Sequence, residues 1–352
     1  MVDFSGIENT GGWFQEAGES YDVIVSSRAR LSRNLTRHRF PNFLKTDEEN
    51  EVQSDILSAF QKLAPDYGFE STLIGDLSPI KRRMMMERNY ITQQFSLHNH
   101  KAAVVDRSEH VSGMINEIDH LRLSCIKGGL QIKKCWEILD VLDDELEKTL
   151  DFAVSIEWGY LSAEVSNAGT GLRASVMLHL PALSRTSMIE KAMKAVVQVG
   201  MTVKGFFSDS EGSLGDLYQV SNHLGLGFSE KDLVEKLDAV ASQLVHYERK
   251  AREELVEKQR YEIEDEVMRA LGILTHCRML TSSEAIDLMS SVRFGVETGM
   301  ISAPLERITA MLFLTQKAHV QYFIDGKEEG ADTNTIDHAR AEIVRKALDR
   351  CL

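Results

Sequence analysis

At 352 residues the chain is longer than one hydrophobic core usually serves, and two domains are the natural expectation. Hydrophobic residues make up 43% and charged residues 27%, an ordinary globular composition, while a formal charge of −14 argues against a nucleic-acid backbone as partner. The four cysteines (Cys125, Cys135, Cys277, Cys351) follow no CxxC or metal-ligand spacing. The opening MVDFSGIENTGGWF has neither a basic nor an apolar leader region, and no long apolar run follows, so the reading is cytoplasmic, with no membrane partner.

Residues 1–20 read as a polar lead-in. Next comes Ser26-Ser27-Arg28-Ala29-Arg30-Leu31-Ser32-Arg33-Asn34; in an extended segment Arg28 and Arg30, two apart, point to the same side. A planar guanidinium that is always charged grips phosphate oxygens in a fork, which lysine cannot imitate. Taken alone, the cluster reads equally as a solvated basic strand. Over 47–64, Val52, Ile56, Leu57, Phe60 and Leu63 fall at helical spacing, and 82–98 reads as a second helix followed by an extended run. AAVVD and VSGMIN read as short strands around a turn at Arg107–Glu109.

Asn116-Glu117-Ile118-Asp119-His120-Leu121-Arg122 follows at once, placing carboxylates and an arginine at a strand end or turn. Residues 151–163 and 174–180 read as further strands. Between them lies Asn167-Ala168-Gly169-Thr170-Gly171-Leu172-Arg173, whose glycines permit close backbone approach to a ligand before Arg173 opens the strand. A helix over 184–199 precedes the strand MTVKGFF, in which Lys204 leads to a polar loop with Asp209. This mixture indicates an α+β catalytic domain.

After Gly227 the pattern turns helical. Ser229 and Asp232 have capping-box spacing, and Leu233, Leu237, Val240 and Leu244 form one stripe. Thr281-Ser-Ser-Glu284 is a second helix start, before Ile286, Leu288, Met289 and Val292. The expected division is a catalytic domain over 1–227 and a helical domain over 228–352.

SSRARLSRNL, NEIDHLR, GTGLRASVMLHLPAL and YQVSNHLGLG, in this order and spacing, resemble the phosphagen (ATP:guanido) kinases, and most closely their bacterial protein-arginine kinase branch. The resemblance runs from about residue 23 to 346 and implies an antiparallel sheet flanked by helices, followed by a helical domain that dimerises and senses phosphoarginine. It implies ATP, with Mg²⁺ bridging its phosphates, bound by Ser26, Ser27, Arg28, Ala29, Arg30, Asn89, Arg122, Arg173, Ala174, Ser175, Val176, Met177, Lys204, Gly205, Phe206, Phe207 and Ser208. The same resemblance implies protein arginine side chains as acceptors, a Clp-type protease and an activator protein as partners, and a homodimer.

Several positions depart from the family pattern. Ile118 stands where the family has its second glutamate, Lys204 replaces a fifth arginine, and Asp209 replaces another glutamate. Asn89 stands for a histidine, and Glu164-Val165 for Cys-Pro. The carboxylates left for proton transfer are Glu117, Asp119 and Asp209, with Glu164 as a substitute. The phosphoarginine-sensing motif keeps Asp337 and Arg340 but has Ile336 in place of its first arginine; Arg340 reads equally as a solvent-facing residue of a closing helix. Two readings stand: an active protein-arginine kinase, and an ATP-binding pseudokinase acting as a regulator or scaffold. Free arginine as the acceptor is a third.

Overall fold

The computed structural model describes residues 12–207, 213–223, 225–325 and 331–350. Its centre is an eight-stranded sheet, antiparallel throughout. The strands are β1 (Ile24–Arg33), β2 (Glu70–Leu73), β3 (Ala102–Val105), β4 (Val111–Ile115), β5 (Leu121–Gly128), β8 (Leu172–His179), β9 (Met201–Gly205) and β10 (Leu217–Asn222), in the order β2-β3-β4-β5-β1-β8-β10-β9. A separate hairpin pairs β6 (Val154–Ser155) with β7 (Gly159–Tyr160).

Alternation along β1 gives the sheet two unlike faces. Ala29 and Leu31 point to one side, and their cross-strand neighbours Leu123 and Cys125 on β5, and Leu172 and Ala174 on β8, join them in the main core. Three helices close that face: α1 (Thr46–Tyr67), α4 (Ile132–Glu147) and α7 (Glu230–Lys258). The expected stripe of α7 does this work. Leu233, Leu237 and Leu244 are buried against the sheet, with Val240 half-buried beside them, each fully buried leucine worth about 1.5–3 kcal/mol. The Ser229–Asp232 capping box forms as the sequence suggests. The first helix after residue 227 therefore packs on the sheet along most of its length, and its end, at Leu255, reaches the second core.

Those later helices are α8 (Arg260–His276), α9 (Ser282–Glu297), α10 (Leu305–Leu314), α11 (Lys317–Asp325) and α12 (Thr333–Asp349). They build a second core, which Trp13, Phe14, Val25, Ile126, Met177 and Leu217 join from the sheet side. A buried ion network locks the two parts. Glu297 of α9 forms ion pairs with Arg252 of α7 at 2.9 Å, with Arg293 at 2.8 Å and with His179 of β8 at 3.0 Å.

Local expectations fare unevenly. The 107–109 turn is present, with Glu109 at φ 58°. The strand expected over 151–163 is only an isolated bridge from Phe152 to Leu35 and the β6–β7 hairpin, because Gly159 at φ 70° reverses the chain. The helix expected over 184–199 is two, α5 (Pro181–Arg185) and α6 (Ile189–Gln198), separated by Ser187 at φ 57°. Residues 82–98 hold the end of α2 (Pro79–Glu87) and the single turn α3 (Gln93–Ser96), with Asn89 at φ 63° between them.

Candidate active site

The second face of the sheet centre is polar. Ser26, Arg28, Arg30 and Ser32 alternate onto it from β1. Register does the rest. Arg30 stands opposite Ser124 on β5 and opposite Arg173 on β8, Ser32 opposite Arg122, and Arg28 opposite Ser175. Strands lie about 4.8 Å apart, so four arginines from three strands share one small patch. Beyond them, Gln219 and Ser221 of β10 extend the face, and Lys204 of β9 pairs with Gln219 at its exposed edge.

The electrostatics of this patch are unbalanced. Burial pushes the Arg30 guanidinium far below its ordinary pKa, and Arg122, Arg28 and Arg173 push it further; only Glu117 opposes them. Arg28 is held down to about 10 by burial and then by Arg122. Arg173 is lowered by burial and Arg122, with Glu164 acting the other way. The Nε of Arg30 is buried and has no hydrogen-bond partner among the described residues. Like charges directly opposite each other weaken a strand pair, and a buried unsatisfied donor costs about 1–3 kcal/mol. A polyanion laid across the four guanidiniums removes both penalties.

Arg28 is the most tightly positioned of the four, its Nε donating to Ser124 Oγ at 2.8 Å and its Nη2 to the Asn89 carbonyl at 3.0 Å. Ser26, Arg28, Asn89, Ser175, Met177 and Phe206 line one pocket together with Ile126 and Gln219. Ser27, Ala29, Ala174 and Val176 alternate to the opposite face and are buried, so they can reach a ligand only through backbone atoms. Ser27 Oγ is committed there, donating to Gly129 O at 2.8 Å. Gly205 ends β9, and Phe207 at φ 59° packs toward Phe313. Ser208 and Asp209 lie outside the described residues.

The two described carboxylates of the 116–122 segment differ sharply. Glu117 faces the arginines: it accepts from Arg122 Nη1 at 2.7 Å, from Thr92 Oγ1 at 3.0 Å and from the Ile118 N–H at 3.1 Å. Burial works to raise its pKa, but Arg122 and these donors outweigh burial and hold it below the usual carboxylate range. Asp119 faces away and is buried. Its oxygens receive Asn34 Nδ2 at 2.7 Å, Ser162 Oγ at 2.8 Å and the Ala163 N–H at 2.8 Å, which makes it a brace between three chain segments. His120 completes the brace, accepting the Leu35 N–H at Nδ1 (2.9 Å) and donating from Nε2 to Arg39 O (2.7 Å). Those partners fix a neutral tautomer, and burial lowers its pKa to about 4. Glu164 is exposed near Arg173.

In the helical domain, Arg340 is not in solvent. It is buried, its Nε donating to Thr315 O at 2.8 Å and its Nη1 to Leu280 O at 2.7 Å and to Asp337 at 2.5 Å. These bonds tie α12 to the start of α9 and the end of α10.

Two groups escaped the sequence reading. Ser124 lies two residues after Arg122 in an alternating run, so strand periodicity pointed to it. Thr92 had no local signal, because its partner Glu117 lies 25 residues on.

A strongly cationic face at the centre of an antiparallel sheet, with Glu117 and Glu164 beside it, has the chemistry to receive a polyanion. Family comparison agrees: residues 51–251 match the ATP:guanido phosphotransferase C-terminal catalytic domain, and residues 260–351 the protein-arginine kinase McsB C-terminal domain. The chain belongs to the ATP:guanido phosphotransferase family. It is 38% identical to the protein-arginine kinase of Halothermothrix orenii, over 97% of both chains. It is 39% identical to that of Desulforamulus reducens, over 96% of this chain and 95% of the relative. A lombricine kinase superposes with TM-score 0.57 at 22% identity, over 67% of this chain and 70% of that one. The duplicated taurocyamine kinase of Schistosoma mansoni, with transition-state analogue components bound, superposes with TM-score 0.60 at 19% identity, over 79% of this chain and 41% of that one. These two likenesses concern the fold.

Proposed function

We propose that the protein is a protein-arginine kinase, moving the γ-phosphoryl group of ATP onto arginine side chains of proteins. The observation that carries the reading is the convergence of Arg28, Arg30, Arg122 and Arg173 on one face, with the Arg30 Nε unsatisfied. Phosphoryl transfer depends on positioning and charge neutralisation, which fixed guanidiniums supply. Ser26, Ser175, Met177, Lys204, Phe206 and Asn89 surround the nucleotide in this reading. Guanidiniums do not ligate metals, and no group of three or more His, Cys, Asp or Glu is placed to hold one among the described residues. Mg²⁺ fits as a companion of the ATP phosphates, supplying further neutralisation.

In the transfer, the bond from the γ-phosphorus to the β,γ-bridging oxygen breaks, a bond from it to a guanidinium nitrogen forms, and that nitrogen loses a proton. Glu117, paired with Arg122 and of lowered basicity, orients the acceptor rather than taking its proton. Glu164 and Asp209 are the proton acceptors in this reading, and Asp119 is a brace. Asp337 and Arg340 act as a clasp of the helical domain, and the division between the domains falls at Gln259, between α7 and α8. A homodimer, an activator protein and a Clp-type protease complete the proposed partners.

The test is incubation with ATP and Mg²⁺ and an unstructured protein, followed by detection of acid-labile phosphoarginine. ATP binding without any phosphoarginine would establish the regulatory pseudokinase instead, the reading that Ile118 favours.

A further inference from the structure

The glycine loop before Arg173 is wrapped by exposed apolar side chains that no core uses. A methyl group on Gly159, at the turn of the β6–β7 hairpin, would stand 2.5 Å from the Gly169 carbonyl oxygen, and one on Gly169 would stand 2.9 Å from the Leu226 Cα. Hairpin, glycine loop and the 225–228 segment are thus stacked backbone to backbone. The pairing of Tyr160 with Gly169, at 2.7 and 3.2 Å, fixes the first of these contacts. Around this stack Ile156 is fully exposed, Val165 is 80% exposed, Phe228 50%, Trp158 48% and Leu226 37%. Large apolar side chains gathered this densely at a surface mark an interaction site.

Two features say what covers them. The chain running from the hairpin reaches the rim of the cationic face at Glu164, which, beside Val165, acts on the charge of Arg173, and the glycine loop it pairs with runs straight into Arg173. Carboxylates border the apolar residues, with Glu157 and Glu164 within the segment itself and Asp144 and Glu147 exposed on α4, where Glu147 also accepts the Tyr160 hydroxyl at 2.6 Å. An occupant that is apolar, locally cationic and next to the phosphoryl-transfer face fits both.

We propose that this collar docks the acceptor polypeptide, gripping apolar side chains that flank the arginine to be phosphorylated. The proposal rests on the arginine-kinase reading and adds a substrate preference to it: an extended segment with an apolar residue beside the arginine.

The experiment uses the full-length protein and fluorescently labelled peptides with one arginine flanked by leucines or by serines, at equal charge. Binding is read by anisotropy and transfer by phosphoarginine formation. The leucine peptide is expected to bind about tenfold more tightly than the serine peptide, the effect of burying one apolar side chain. The variant Ile156→Ser/Trp158→Ser is expected to erase that difference while keeping the ATP-dependent thermal shift of the parent. Equal binding of the two peptides by the parent, or a preference that survives in the variant, overturns the docking surface whatever the turnover. A preference that is lost in the variant, with no phosphoarginine on either peptide, supports the docking surface and overturns the kinase reading. A variant that changes the sedimentation of the protein but not the peptide preference assigns the collar to a second copy of the chain and overturns the proposal.

Discussion

Arg30 and Arg173 stand directly opposite each other across the β1–β8 pair, two guanidiniums where a strand pair ordinarily places complementary or apolar side chains. Without an anion this arrangement opposes folding. Replacing Arg30 with Met is therefore expected to raise the stability of the ligand-free protein by up to about 1 kcal/mol. The same change should cost at least about tenfold in ATP affinity, since a hydrogen bond to a charged group is worth about 1.5–3 kcal/mol. Thermal denaturation with and without ATP reads both effects, which have opposite signs. A variant that loses stability in the absence of ligand would show that Arg30 has a protein partner after all.

Ile118 sits between the Glu117 that faces the arginines and the Asp119 that faces away. If the chain lacks a carboxylate of ordinary basicity at this point, Ile118→Glu should raise turnover by at least about tenfold, a modest part of what general acid–base help supplies. ATP affinity should change little, because a proton acceptor acts on the transition state. Steady-state kinetics beside an ATP titration separate the two; unchanged turnover moves the defect to Asp209 or Lys204.

Asp119 behaves as a structural residue in this picture. Asp119→Ala leaves the Asn34, Ser162 and Ala163 donors without their acceptor, and should cost about 3 kcal/mol or more in urea unfolding. Asp119→Asn, which keeps one acceptor oxygen, should recover part of that stability and of the activity together. A variant with full stability and no turnover would instead give Asp119 a direct part in the chemistry.

His120 gives the protein an acid limit. Its folded pKa, about 4, lies below the ordinary value of 6.5, so the unfolded chain binds the extra proton first. Stability from the neutral ring is complete above about pH 6.5 and is lost as pH falls toward 4, a change of about 3 kcal/mol. Glu117, whose folded pKa is also lowered, adds a loss in the same direction at lower pH. His120→Gln should flatten the stability profile between pH 6.5 and 4, as measured by urea unfolding at each pH; an unchanged slope would place the titrating group elsewhere.

Much of this protein is legible in its sequence, because the information is local. Alternation in Ser26–Ser32 and Arg173–His179 assigns each residue a side of the sheet, and the Ser229–Asp232 spacing starts a helix whose stripe is buried as drawn. The motif order carries the family. What local pattern cannot carry is register and partnership. That Arg30 meets Arg173, and that Arg122 joins them, depends on how three strands align, which is decided by the packing of their apolar faces on α1, α4 and α7. Asp119 and Glu117 look alike in sequence, two residues apart; one turns inward to Asn34, 85 residues away, and the other turns out to Arg122. Arg340 likewise passes for a surface residue until carbonyls from 25 and 60 residues away close around it. A charge takes its role from the groups that the fold brings to it, and those groups lie far off along the chain.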